Sequence, residues 1–121
     1  MNFLFVALGG AIGSIMRYSV SLLTSGTLSV FNVGTIVVNL IGSFLIGMTF
    51  AITSEMSVLS PAMRALIFVG IFGGFTTFSS FSLDTFTAFK ESGALVALMY
   101  VLINNIGGIG LCFLAIHLFS K

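Results

Sequence analysis

A chain of 121 residues that is 58% hydrophobic and only 6% charged cannot clothe a water-soluble surface, for which about 25% of residues are normally charged. Its net charge of +1 offers nucleic acid no basic field, and no Lys/Arg cluster is present to anchor it to a membrane surface. Much of the surface must face lipid.

A hydrocarbon core about 30 Å thick calls for roughly 20 mostly apolar residues in helical form. The first such run is 3–23. It lacks a basic n-region and a small-residue cleavage site, so it reads as a span rather than a removable signal peptide. Polar residues at 24–32 end it, and 33–52 supplies the second span. The loop 53–61 carries Glu55 and closes on Pro61, which suits a first helical position because its missing N–H is not needed there. The third span is 63–89, with Arg64 near its start, and a short turn at 90–93 leads to the fourth, 94–118. Together they predict an all-α membrane protein, one transmembrane domain of four helices over 1–121. Cys112 stands alone, which excludes an intramolecular disulfide or a multi-cysteine metal site. His117, also alone, reads as a helix-end or interfacial histidine.

Orientation should follow the Lys/Arg count in the flanks. Arg64 and Lys121 fall on one side, Arg17 and Lys90 on the other, and the tie gives no orientation. Either so small a protein carries little signal, or the chain inserts both ways and pairs antiparallel with itself.

The third span departs from an ordinary membrane helix. From Gly70 to Ser82 it reads GIFGGFTTFSSFS, crowding glycines and hydroxyls into the middle of a hydrophobic segment. Each Gly costs about 1 kcal/mol of helix propensity relative to Ala, so Gly73-Gly74 followed by Phe75-Thr76-Thr77 predicts a break. Backbone groups freed there survive only if buried in protein or lining a watery or ion-filled cavity. Freed carbonyls suit a cation, and a half-helix starting near Thr77 points its positive end at an anion. A second reading stays open, in which Gly70 and Gly74 form a small-xxx-small pair for close helix packing. Beyond the break, Phe78 and Phe81 share a helix face, with Ser79 and Ser80 beside it and Asp84 one turn past Ser80. A phenyl ring is positive at its edge, so two rings turned edge-on can meet a small anion without offering it a full charge. Packing or lipid contact is the commoner use of a membrane phenylalanine.

Span two carries Thr35, Asn39 and Ser43 on one face, and span four carries Tyr100, Asn104 and Gly108. An asparagine amide has two donors with which to replace water around an anion, although asparagine also serves as glue between membrane helices. No His/Asp/Glu cluster, phosphate loop or nucleophile–base pair is present, so the sequence predicts no enzyme.

Taken together, Gly9-Gly10-Ala11-Ile12-Gly13-Ser14-Ile15-Met16-Arg17-Tyr18, Gly34-Thr35-Ile36-Val37-Val38-Asn39-Leu40-Ile41-Gly42 and Gly73-Gly74-Phe75-Thr76-Thr77-Phe78-Ser79-Ser80-Phe81-Ser82 resemble the Fluc fluoride channel family, also called CrcB. The resemblance covers the whole chain, and the third motif is the most specific. It implies an antiparallel, dual-topology dimer in the cell inner (plasma) membrane, embedded in lipid, with two anion pores at the interface. Phe78 and Phe81 would be the rings whose edges meet fluoride and Asn39 the amide beside them. Ser79 and Ser80 would supply hydroxyls, with Tyr100 and Asn104 extending the track. The carbonyls of Gly73 and Thr76 from both subunits would hold a structural Na⁺ on the two-fold axis. Arg17 would sit at a vestibule or snorkel as a structural residue. Ser80 stands where the family commonly has Thr, Asp84 replaces the usual Glu, and Gly108 stands where many members have Ser. Because Asn39 and both phenylalanines are present, the chain is expected to form pores with itself, or else to pair with a paralogous subunit.

The implied activity is passive, selective export of fluoride that entered as HF, protecting the cell from its toxicity. One rival is a small dual-topology proton-coupled transporter, which needs an ionisable residue deep in the membrane. Another is a scaffold subunit that transports nothing.

Overall fold

The computed structural model describes residues 2–28, 31–56 and 58–120, without the side chains of residues 55 and 56. Lys121, which entered the charge tally, lies outside the described residues, as does the side chain of Glu55. Four helical rods among the described residues are long and apolar enough to cross a membrane. We number the helices α1 (Asn2–Thr24) and α2 (Val33–Met56), then α3 and α4 for the two halves of the third rod, and α5 for the fourth. In α3, the short helix Pro61–Arg64 continues into a π-helical stretch, Ala65–Phe72, and then Gly73–Phe75. Helix α4 is Phe78–Ser92. Helix α5 joins Ala94–Leu102, a π-helical turn at Ile103–Gly107, and Gly108–Phe119. The helices run a few residues past the predicted spans at most ends. The π-helical stretches leave no mark in hydrophobic periodicity.

Local chemistry sets several of these ends. Ser60 caps α3, its hydroxyl accepting the Met63 N–H at 3.2 Å with Pro61 in the first turn. Between α4 and α5, Gly93 adopts φ +93°, a conformation that a side chain strongly disfavours.

Helix α1 packs along α3, α2 along the last part of α5, and α4 along the first part of α5. The α1–α3 seam is made by glycine. A Cβ on Gly13 would fall 2.2 Å from the Ile71 carbonyl oxygen, and one on Gly74 would fall 2.8 Å from that of Gly10. Such backbone contact supplies van der Waals attraction where lipid provides no hydrophobic drive.

The third rod is broken within the stretch its composition points to, but at the two threonines and not at the double glycine, while the close-packing reading holds at Gly74. Gly73 and Gly74 remain helical. Thr76 (ψ 161°) and Thr77 (φ −153°, ψ 121°) are the extended residues. Gly74 packs close against α1, whereas the unwinding passes to the two threonines that follow.

Candidate functional site

Thr77 is where the break is secured. In a continuous helix its N–H would donate to the Gly73 carbonyl; here it donates to Asn39 Oδ1 at 2.9 Å. Asn39 Nδ2 returns a bond to the Thr77 carbonyl at 3.1 Å. One side chain from α2 thus bonds both backbone polar groups of the unwound, buried Thr77 and satisfies the N–H that the break leaves over, as a membrane interior requires. Thr77 also starts α4 as its N-cap, the hydroxyl accepting the Ser80 N–H at 3.1 Å. Threonine is among the residue types favoured at an N-cap, and that is the signal by which sequence alone marks this start.

Asn39 continues inward. Its Nδ2 also donates to Asn104 Oδ1 at 3.0 Å, and Asn104 Nδ2 donates to the Tyr100 carbonyl at 3.0 Å. Asn104 sits in the π-helical turn of α5, and both it and its neighbour Asn105 face a cavity of about 330 Å³. The same cavity is walled by Asn39, Ser43, Gly73, Thr76, Thr77, Phe78 and Phe81. None of its lining residues carries a charge. What it offers is amide, hydroxyl, backbone and aromatic ring. The Ser43 hydroxyl, on this wall, has no partner within the subunit among the described residues.

Phe78 and Phe81 lie with ring centroids 5.4 Å apart and planes at 56°. Their environments differ, for Phe81 is 8% exposed and Phe78 is 75% exposed. Phe81 stacks on Tyr100 at 5.9 Å, and Tyr100 stacks on Phe31 at 5.6 Å. An aromatic column therefore runs from the cavity into the protein.

The Tyr100 hydroxyl joins that column to a polar knot whose members the sequence names without bringing them together. Asp84 accepts from Thr35 Oγ1 at 2.6 Å, the Tyr100 hydroxyl at 3.0 Å and Asn32 Nδ2 at 3.2 Å. Three helices and the α1–α2 connection meet on one carboxylate, level with the first turn of α2. Among the described residues, no buried side-chain polar atom lacks a hydrogen bond.

The structure gathers Asn39, Asn104, Phe78, Phe81, Gly73 and Thr76 around the cavity. Ser79, Ser80, Tyr100 and Arg17 stand outside its lining within one subunit. Ser79 contacts the Thr77 hydroxyl at 3.4 Å, and Tyr100 is fully buried with its hydroxyl on Asp84. Arg17 reaches across from α1, its Nη1 3.4 Å from the Thr76 carbonyl oxygen.

Fold and site define a class: a multi-pass membrane protein whose third helix is interrupted beside an uncharged cavity of amides and aromatic rings. Residues 4–116 match the family described as CrcB-like protein, Camphor Resistance (CrcB), and the chain belongs to it. It is similar to a relative from Shewanella halifaxensis (strain HAW-EB4), named fluoride-specific ion channel FluC. The two are 43% identical over 118 residues, covering 97% of this chain and 91% of the relative. A relative of the same name from Leptospira interrogans is 40% identical over 126 residues, covering 100% of this chain and 99% of its own length. One from Saccharophagus degradans, again so named, is 39% identical over 118 residues, covering 98% and 89%.

Proposed function

We propose that this protein is a fluoride-selective, passive anion channel that exports fluoride and protects the cell from it. The observation that carries the reading is the uncharged cavity at the break, flanked by Asn39, Asn104, Phe78 and Phe81, in a chain whose relatives are named fluoride-specific channels. Fluoride holds its hydration shell tightly. A path of N–H, O–H and ring-edge dipoles returns part of that solvation, and many weak contacts in series let the ion both enter and leave. A fixed positive charge on the path would trap it. The helix α4 begins at Thr77–Phe78 and adds its positive end to the same region. Nothing in this reading asks for bond chemistry; the protein is a conduit and not an enzyme.

The finer assembly belongs to the same proposal. Phe78, 75% exposed in one subunit, needs a cover. A second copy, antiparallel in the inner (plasma) membrane, supplies it and completes the wall with its own rings and with Ser79 and Ser80. The balanced charge of the helix flanks permits insertion in both senses. A paralogous subunit would serve the same geometry. The carbonyls of Gly73 and Thr76 would hold a sodium ion between subunits. Hard cations take oxygen ligands; the Gly73 carbonyl is free of the Thr77 N–H, which is drawn off to Asn39, whereas the Thr76 carbonyl would be shared with Arg17 Nη1. Bound there, the ion would supply positive charge that fastens the two breaks together.

The proton-coupled alternative is disfavoured by the cavity itself, since no ionisable side chain lines it, and such carriers need one within the membrane. The test is efflux from liposomes reconstituted with purified protein. Fluoride should leave rapidly and chloride should stay. Comparable chloride flux, or strict coupling to protons, would overturn the proposal.

A further inference from the structure

Helices α2 and α5 meet along matched steps of four residues, Asn39, Ser43 and Gly47 on one and Asn104, Gly108 and Cys112 on the other. Asn39 and Asn104 are joined by the 3.0 Å bond between their side chains. Gly47 lies so close to α5 that a Cβ there would fall 2.5 Å from the Cys112 carbonyl oxygen. A hydrogen bond thus closes the first step, and backbone contact closes the third. The step between them, Ser43 opposite Gly108, is closed by neither.

Hydroxyls elsewhere in the spans turn back on their own helices. Ser19, Thr53, Ser82 and Thr85 each donate to the carbonyl four residues earlier, at 2.9, 2.7, 2.9 and 2.7 Å. The corresponding acceptor for Ser43 is the Asn39 carbonyl, which it does not use, and its hydroxyl has no partner among the described residues. No buried side-chain polar atom among those residues is left unpaired. The Ser43 oxygen is therefore open, and the space it opens on is the cavity that the residue lines. Gly108, itself buried, makes room for it. A Cβ at Gly108 would stand 3.2 Å from Ser43 Oγ, closer than ordinary van der Waals contact.

An unpaired hydroxyl within a membrane costs free energy unless something polar reaches it. It has one proton to donate and rotates to place it, so an ion entering the cavity can take that proton without breaking a bond inside the subunit. The Asn39 amide, by contrast, is already committed to Thr77 and Asn104.

We propose that Ser43 contacts the permeating anion, donating its hydroxyl proton one helical turn past Asn39, and that Gly108 is glycine so that this hydroxyl can stand free. This rests on the channel reading above, and it carries the ion path along α2 to the side of the break away from Asp84.

Moving the hydroxyl across the gap tests it. Fluoride efflux from liposomes is timed for the unaltered protein, for Ser43→Ala, and for Ser43→Ala combined with either Gly108→Ser or Gly108→Ala. The single variant should slow efflux about tenfold, which is what one neutral hydrogen bond is worth, with its thermal midpoint in detergent unchanged. Adding Gly108→Ser returns a hydroxyl to the same gap and should restore most of the rate. The space allows it, because a Cβ at Gly108 is 3.9 Å from the Cβ of residue 43. Adding Gly108→Ala fills the gap without a hydroxyl and should restore nothing. An unchanged rate in Ser43→Ala, no recovery with Gly108→Ser, or equal recovery with Gly108→Ala overturns the assignment. So does a slowed Ser43→Ala whose midpoint falls with its rate, since the serine would then be glue between helices. Rapid efflux by both the unaltered protein and Ser43→Ala removes this inference and keeps the channel, whereas no fluoride efflux from the unaltered protein removes both.

Discussion

Asn39 grips Thr77 by both its backbone polar groups, 2.9 Å to the nitrogen and 3.1 Å to the oxygen. A residue on α2 thereby replaces the helical bond that the Thr77 N–H forgoes where α3 and α4 part. Leaving the Thr77 N–H unpaired in a buried setting costs about 1–3 kcal/mol, so the break depends on this amide. Asn39→Leu should lower the thermal midpoint in detergent and abolish fluoride efflux together. Retained efflux at wild-type stability would refute the clamp.

Asn39→Asp probes the same residue by sign. Both acceptors facing Nδ2 are oxygens, Thr77 O and Asn104 Oδ1, and a carboxylate would set like against like. It would also place a negative charge beside an anion path. Fluoride efflux is expected to vanish, and flux at the normal rate would take Asn39 off the path altogether.

Along the α1–α3 seam, Gly13→Ala should be costly and Gly10→Ala harmless. The new methyl at Gly13 would meet the Ile71 carbonyl oxygen at 2.2 Å, whereas at Gly10 it meets nothing within 4 Å. Overpacking of this kind costs about 1–3 kcal/mol, while Gly-to-Ala in an unhindered helix gains up to about 1 kcal/mol. Thermal unfolding of the two variants in one detergent makes the comparison, and equal midpoints would contradict the seam.

The phenylalanines should separate stability from transport. Phe81 is buried between Phe78 and Tyr100, so Phe81→Ala should destabilise the subunit by about 3 kcal/mol. Phe78, largely exposed, should tolerate Phe78→Ala as a folded protein yet lose fluoride efflux. A Phe78→Ala channel conducting normally would place that ring outside the pore.

Asp84 gathers three donors, and hydrogen bonds to a charged group are worth about 1.5–3 kcal/mol each. Asp84→Ala should therefore loosen the Asn32 connection and the start of α2. Faster amide exchange over the first turn of α2 would register it. Unaltered exchange would mean that the knot is incidental.

Hydrophobic length is a local property, and so the sequence alone determined four spans, their approximate limits and the weak point of the third. It also determined the family, since the glycine, hydroxyl and phenylalanine pattern around residues 73–82 is itself the motif. Tertiary structure decided where the weak point gives way. Gly73 and Gly74 stay helical because α1 packs against that stretch, and the chain opens at Thr76–Thr77 because Asn39, 38 residues away, supplies the missing partners there. Which phenylalanine is buried and that Asp84 ties three helices were decided in the same way. A hydrogen-bond count closes only when every partner is known, and these partners come together only when the helices pack.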